Sequence, residues 1–116
     1  MQPPPPALPV ALPEQGTARI GVVADTHSEP NPKGLEHLAA QKPHLIFLCG
    51  DIGKLSVIDR LQQIAPVHAV RGNIDDASSG LPEVRLLGLE RAGRRVLTVF
   101  MTHIAVYGPR IRGDVA

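Results

Sequence analysis

The chain has 116 residues, 43% of them hydrophobic and 20% charged, with a formal net charge of +1, which fits a single globular domain and excludes a strongly basic or acidic partner surface. No run approaches the roughly 18 apolar residues a membrane-spanning helix requires, the N-terminus lacks the order of a secretion signal, and Phe47, Phe100 and Tyr107 are too few for base stacking. The single Cys49 lies in an apolar run and reads as an inert buried thiol, in keeping with a reducing cytoplasm.

Residues 1–16 hold six of the twelve prolines, four of them consecutive at Pro3 to Pro6, and are expected to form an extended or disordered tail ahead of a domain spanning 17–116. Ile20 to Ala24 then reads as a buried strand. Asn31 is suited to cap a helix that starts at Pro32 and turns Leu35, Leu38 and Ala39 to one side. Leu45 to Cys49 is a second buried strand, and Ser56 with Asp59 resembles a capping box before Leu61 and Ile64. Val67 to Val70 is a third strand. Beyond Pro82, the segments Glu83 to Glu90 and Arg94 to Met101 flank Ala92-Gly93 as a β-hairpin, with Arg91, Arg94 and Arg95 at its solvated tip. Strand, helix, strand, helix, strand implies a parallel sheet with right-handed crossovers, whose functional loops gather at the carboxyl ends of the strands.

Those ends carry Asp25-Thr26-His27, Gly50-Asp51 and Gly72-Asn73-Ile74-Asp75, and Thr102-His103 follows the hairpin. Singly, each has an ordinary explanation as a turn former or surface histidine. Together they are a ligand set. Adjacent parallel strands lie about 4.8 Å apart, so side chains at their ends converge on ions about 3.5–4 Å apart. Carboxylates and imidazoles without thiolates suit hard or borderline divalent ions. His37, His44 and His68 fall in or beside helices and strands and read as structural or surface residues.

The text Gly21-Val22-Val23-Ala24-Asp25-Thr26-His27, Leu48-Cys49-Gly50-Asp51, Val70-Arg71-Gly72-Asn73-Ile74-Asp75 and Phe100-Met101-Thr102-His103 resembles the calcineurin-like metallophosphoesterase superfamily, in particular its small bacterial and archaeal phosphodiesterases. The resemblance implies an α/β fold in which a β-sandwich is flanked by helices in αββα layers. It also implies two divalent ions, manganese foremost with iron, zinc, magnesium or nickel as alternatives. Asp25 and His27 would hold the first ion, Asn73 and His103 the second, and Asp51 would bridge both. A hydroxide between the ions would then attack a small phosphoester, most readily a phosphodiester. Arg71 is a candidate phosphate-binding residue.

The sequence departs from that pattern twice. Ile74 stands where many relatives carry a proton-donating histidine, which predicts a preference for good leaving groups and leaves Asp75 as the acid there, a catalytic or supporting residue or simply a turn former. The Gly-His-x-His segment that completes the ligand set is absent up to Ala116, and Ile104 follows His103 where relatives commonly continue Gly-His. The resemblance therefore implies a sandwich incomplete at its C-terminal side. A homo-oligomer or separate partner could cover it, and the alternative to catalysis is a degenerate or truncated scaffold that binds protein, like the retromer subunit of this superfamily.

Overall fold

The computed structural model describes residues 7–75, 77–104, 106–107 and 110–111. Three short apolar runs, β2 (Ile20–Val23), β3 (Leu45–Cys49) and β4 (Val67–Val70), pair in parallel in the order β2-β3-β4. The register sets Val23 against Leu48 and Cys49 against Val70, so all three strands end at nearly the same height. Each connection is a helix. In α1 (Pro32–Ala40), the Asn31 side chain accepts from the backbone N–H groups of Lys33 and Gly34, and Pro32 occupies the first turn, as the sequence leads one to expect. The second helix, α2 (Ser56–Gln62), is entered differently: Leu55 occupies the cap position with helical backbone and no side-chain cap bond. The expected Ser56–Asp59 capping box is therefore corrected. Backbone bonds from Val57 to Lys54 and from Ile58 to Leu55 form a tight first turn in its place.

A second sheet has the order β1-β5-β6, where β1 is Leu8–Ala11, β5 is Val84–Arg91 and β6 is Arg94–Thr102. The hairpin β5-β6 closes through Ala92 and Gly93, both with positive φ, at 52° and 78°. Part of the proline-rich leader, expected as a tail, is an edge strand: Leu8–Ala11 pairs in parallel with Leu87–Glu90, and Val10 is buried. Pro9 is tolerated because an edge strand has one side free of ladder bonds. Arg91 adds a bond from its guanidinium to the carbonyl of Gly16. A further short pair, β7 (Val106–Tyr107) and β8 (Arg110–Ile111), forms its own ribbon.

The alternating side chains of β3 divide the core. Leu45 and Phe47 face the second sheet and pack with Val10, Val70, Leu87, Leu89 and Met101. Ile46 and Leu48 face the helices and pack with Ile52, Val57 and Leu61, flanked by Leu35 and Leu38 of α1. The result is helices on a parallel sheet on a mixed sheet; among the described residues, both α-helices lie on the parallel sheet. None of the described helices is long and apolar enough to cross a membrane.

Candidate metal centre

The loops after β2 and β3 are bonded to each other as if the parallel ladder ran past the strand ends. Backbone N–H groups of Asp25, His27 and Ser28 donate to the carbonyls of Gly50, Asp51 and Ile52, and the buried Thr26 hydroxyl also donates to the Ile52 carbonyl at 3.0 Å. Lys54 N–H donates to the Ser28 hydroxyl at 2.8 Å. Such bonding holds Asp25, His27 and Asp51 in left-handed backbone conformations, with φ of 57°, 46° and 50°. Conformations of this kind are uncommon outside glycine and persist where the surroundings over-determine them, as at binding sites.

These loops bring donor atoms of Asp25, Asp51 and His103 within 4.8 Å of one another. The His103 Nε2 lies 3.4 Å from Asp51 Oδ2 and 4.0 Å from Asp25 Oδ1. His103 Nδ1 is 2.7 Å from the carbonyl of Cys49, which can only accept, so Nδ1 carries a proton and Nε2 is the ring nitrogen turned toward the carboxylates. His27 Nε2 stands 3.8 Å from the same Asp51 Oδ2 but outside the tight group, on a more exposed side chain. Asp51 Oδ2 thus faces two imidazoles, while Oδ1 accepts from the backbone N–H of Ile74 at 3.1 Å. Asn73 is exposed and borders a cavity of about 230 Å³ shared with His103 and Arg71.

The donor set fits a hard or borderline divalent ion: carboxylate oxygens and an oriented imidazole, with the only thiol, Cys49, pushed up in pKa by burial. Two glycines make the close approach possible. A Cβ on Gly72 would collide with the backbone nitrogen and Oδ1 of Asp51, and one on Gly50 would lie 2.7 Å from His103 Nδ1. The sequence places both glycines immediately before ligand positions, and the structure gives the reason.

Of the expected site residues, the structure gathers Asp25, Asp51 and His103, puts His27 at the rim, and sets Asn73 beside the adjoining cavity. His103, which the resemblance assigns to an ion with Asn73, also stands 4.0 Å from Asp25 Oδ1. Arg71 lines that cavity, with its backbone N–H bonded to the Pro82 carbonyl. Asp75, the candidate acid, is turned to backbone donors. Both its oxygens are engaged by the backbone N–H groups of Ile52, Gly53 and Gly72 at 2.9–3.0 Å. Burial pushes its pKa up, but those three donors, together with the charge of His103, outweigh burial and hold it below the usual carboxylate range, so it has no proton to give near neutral pH. The loop-to-loop zipper around Thr26 and Ser28 went unread in the sequence; its only signal is a hydroxyl pair within the ligand segment.

His37 is exposed on α1, His44 Nδ1 accepts from Arg19 N–H at 2.9 Å, and His68 packs edge-on against Phe47; none joins the ligand group. A larger cavity of about 550 Å³ opens between β2 and α1, bordered by Val22, Asp25, Leu35 and Leu38.

Residues 18–115 match the family model described as the calcineurin-like phosphoesterase superfamily domain. A "probable metallophosphoesterase" of Methanocaldococcus jannaschii is 36% identical over 63 residues, which is 52% of this chain and 33% of that protein. Among solved structures, Vps29 of Entamoeba histolytica matches with a TM-score of 0.60 at 19% identity, over 83% of this chain and 53% of that one. Vps29 of Chaetomium thermophilum matches with a TM-score of 0.53 at 22% identity, over 61% and 41%. At such identities the Vps29 likeness shows the fold alone. The chain spans about a third of the curated relative and about half or less of the two solved structures.

Proposed function

Because the chain belongs to the calcineurin-like phosphoesterase superfamily, we propose that it is a metal-dependent hydrolase of phosphoesters, and of phosphodiesters above all. The observation that carries this reading is the convergence of Asp25, Asp51 and His103 at the carboxyl end of the parallel sheet. Asp25, His27, Asp51, Asn73 and His103 would hold a pair of divalent ions, manganese foremost, with Asp51 shared between them. Bound there, the ions supply Lewis-acid activation of water and neutralise charge on the phosphoryl oxygens. The chain's own residues set the geometry: His103 is oriented by the Cys49 carbonyl, Asp51 is held by Ile74 N–H, and Arg71 in the adjoining cavity offers a guanidinium to a phosphate oxygen. A cytoplasmic location would suit the single reduced thiol.

Ile74 sits half-exposed beside Asp51 and has no proton to transfer, so the leaving group must depart unaided. Bis(p-nitrophenyl) phosphate should therefore be hydrolysed faster than an alkyl diester, and Ile74→His should narrow that ratio. Chelation should abolish turnover and manganese restore it, while Asp25→Asn and His103→Gln should each lower it by on the order of 100-fold. Turnover indifferent to chelator and to both substitutions would contradict the reading. A second reading, a protein-binding scaffold, is supported by Val22, which is 68% exposed on the open edge of β2 where a second copy or another protein could pack. A chain that self-associates yet binds no metal would select it.

A further inference from the structure

The Asp75 carboxylate joins two ligand loops without offering an oxygen to the centre. Its Oδ2 accepts from Ile52 N–H at 3.0 Å and from Gly72 N–H at 2.9 Å, and its Oδ1 accepts from Gly53 N–H at 3.0 Å. Ile52 and Gly53 directly follow Asp51, and Gly72 directly precedes Asn73. The bond from Asp75 N–H to the Gly72 carbonyl closes the intervening turn, and Ile74 N–H returns a bond to Asp51 Oδ1. The two loops thus hold each other reciprocally: an acid from each accepts backbone protons from the other.

We propose that Asp75 is a positioning residue that locks the Asp51 loop to the Asn73 loop, so that the shared carboxylate and the amide ligand keep one fixed separation. The role rests on the metal centre proposed above. Only an acceptor on both oxygens satisfies three converging N–H donors; an amide of equal size would turn its NH₂ toward at least one of them. The packing leaves little slack, since even a Cβ on Gly72 would strike Asp51. A loop freed from Asp75 would therefore shift its ligand relative to the other loop's, and the ion that depends on both loops would be lost first.

The test compares wild type with Asp75→Asn and Asp75→Ala in two ways, and Asp75→Asn, of equal size, carries it should Asp75→Ala not fold. In metal-free protein, amide hydrogen exchange at Ile52, Gly53 and Gly72 should accelerate at least about tenfold, while that of Leu48 and Ala69 in the sheet stays unchanged. Under manganese titration, wild type should load two ions with the electron paramagnetic signature of a coupled pair. The variants should bind the second ion roughly 10–100-fold more weakly and show the signal of isolated ions. Unchanged exchange at the three amides, or a variant that loads a coupled pair with wild-type affinity, overturns the role of Asp75 and leaves the centre standing. Wild type that takes up no manganese overturns the centre, and the role with it.

Discussion

The loops at the carboxyl end of the parallel sheet and the open flank beside β2 are built from the same strands yet held in opposite ways. At the carboxyl end, backbone bonds run from Asp25, His27 and Ser28 to the loop after β3, and Asp75 ties that loop to the one after β4. At the flank, β6 packs over β3 and β5 over β4, whereas Val22 of β2 is 68% exposed although it is in register with the buried Phe47. Leu97, paired with the buried Leu89, is likewise 55% exposed near the hairpin tip. The site is made by directional bonds that need only its own loops. The flank leaves apolar area in water, which is removed only when another surface meets it.

The comparison can be broken most severely at Gly72. Gly72→Ala drives a methyl into the Asp51 backbone, and should cost about 1–3 kcal/mol of stability by denaturant titration and nearly all manganese-dependent turnover. A smaller effect is expected between the sheets. Burial, and secondarily the charge of Arg85, lower the pKa of His68, so the unfolded chain takes up this proton before the folded one does. His68 should therefore leave stability undiminished above its ordinary value of 6.5 and erode it as pH falls through its lower folded value, a slope that His68→Phe removes in pH-dependent melting. The corresponding contribution of Asp75 is lost only below 3.8, which keeps the two separable. Least of all should come from the flank: Val22→Lys is expected to change stability by no more than about 0.5 kcal/mol while lowering the mass seen by light scattering. A large loss of stability there would mean that the Val22 side chain is covered after all.

Much of this architecture could be read directly from the residues. The three strands of the parallel sheet and the Asn31-Pro32 helix start fall where apolar runs and capping chemistry place them, because both are local signals. The edge strand at Leu8–Ala11 was hidden because proline content argues against strands in general, whereas its pairing with β5 is set by a partner nearly 80 residues away. Ser56 misled for a similar reason: the Ile52 and Gly53 bonds to Asp75 fix how the chain enters α2, and a hydroxyl cap is not needed. In the site, the candidate residues were legible from spacing, but the bonds that Asp75 accepts were not, since a carboxylate facing backbone amides and one facing a metal look the same in one dimension.

Metal stoichiometry of Asp51→Ala against wild type, by elemental analysis after manganese loading and desalting, tests the central claim most directly. Asp51 Oδ2 faces both His27 and His103, and the shared position predicts two ions per wild-type chain and loss of both in the variant, with circular dichroism unchanged. Equal manganese in the two proteins would contradict the assignment of this cluster as the metal centre.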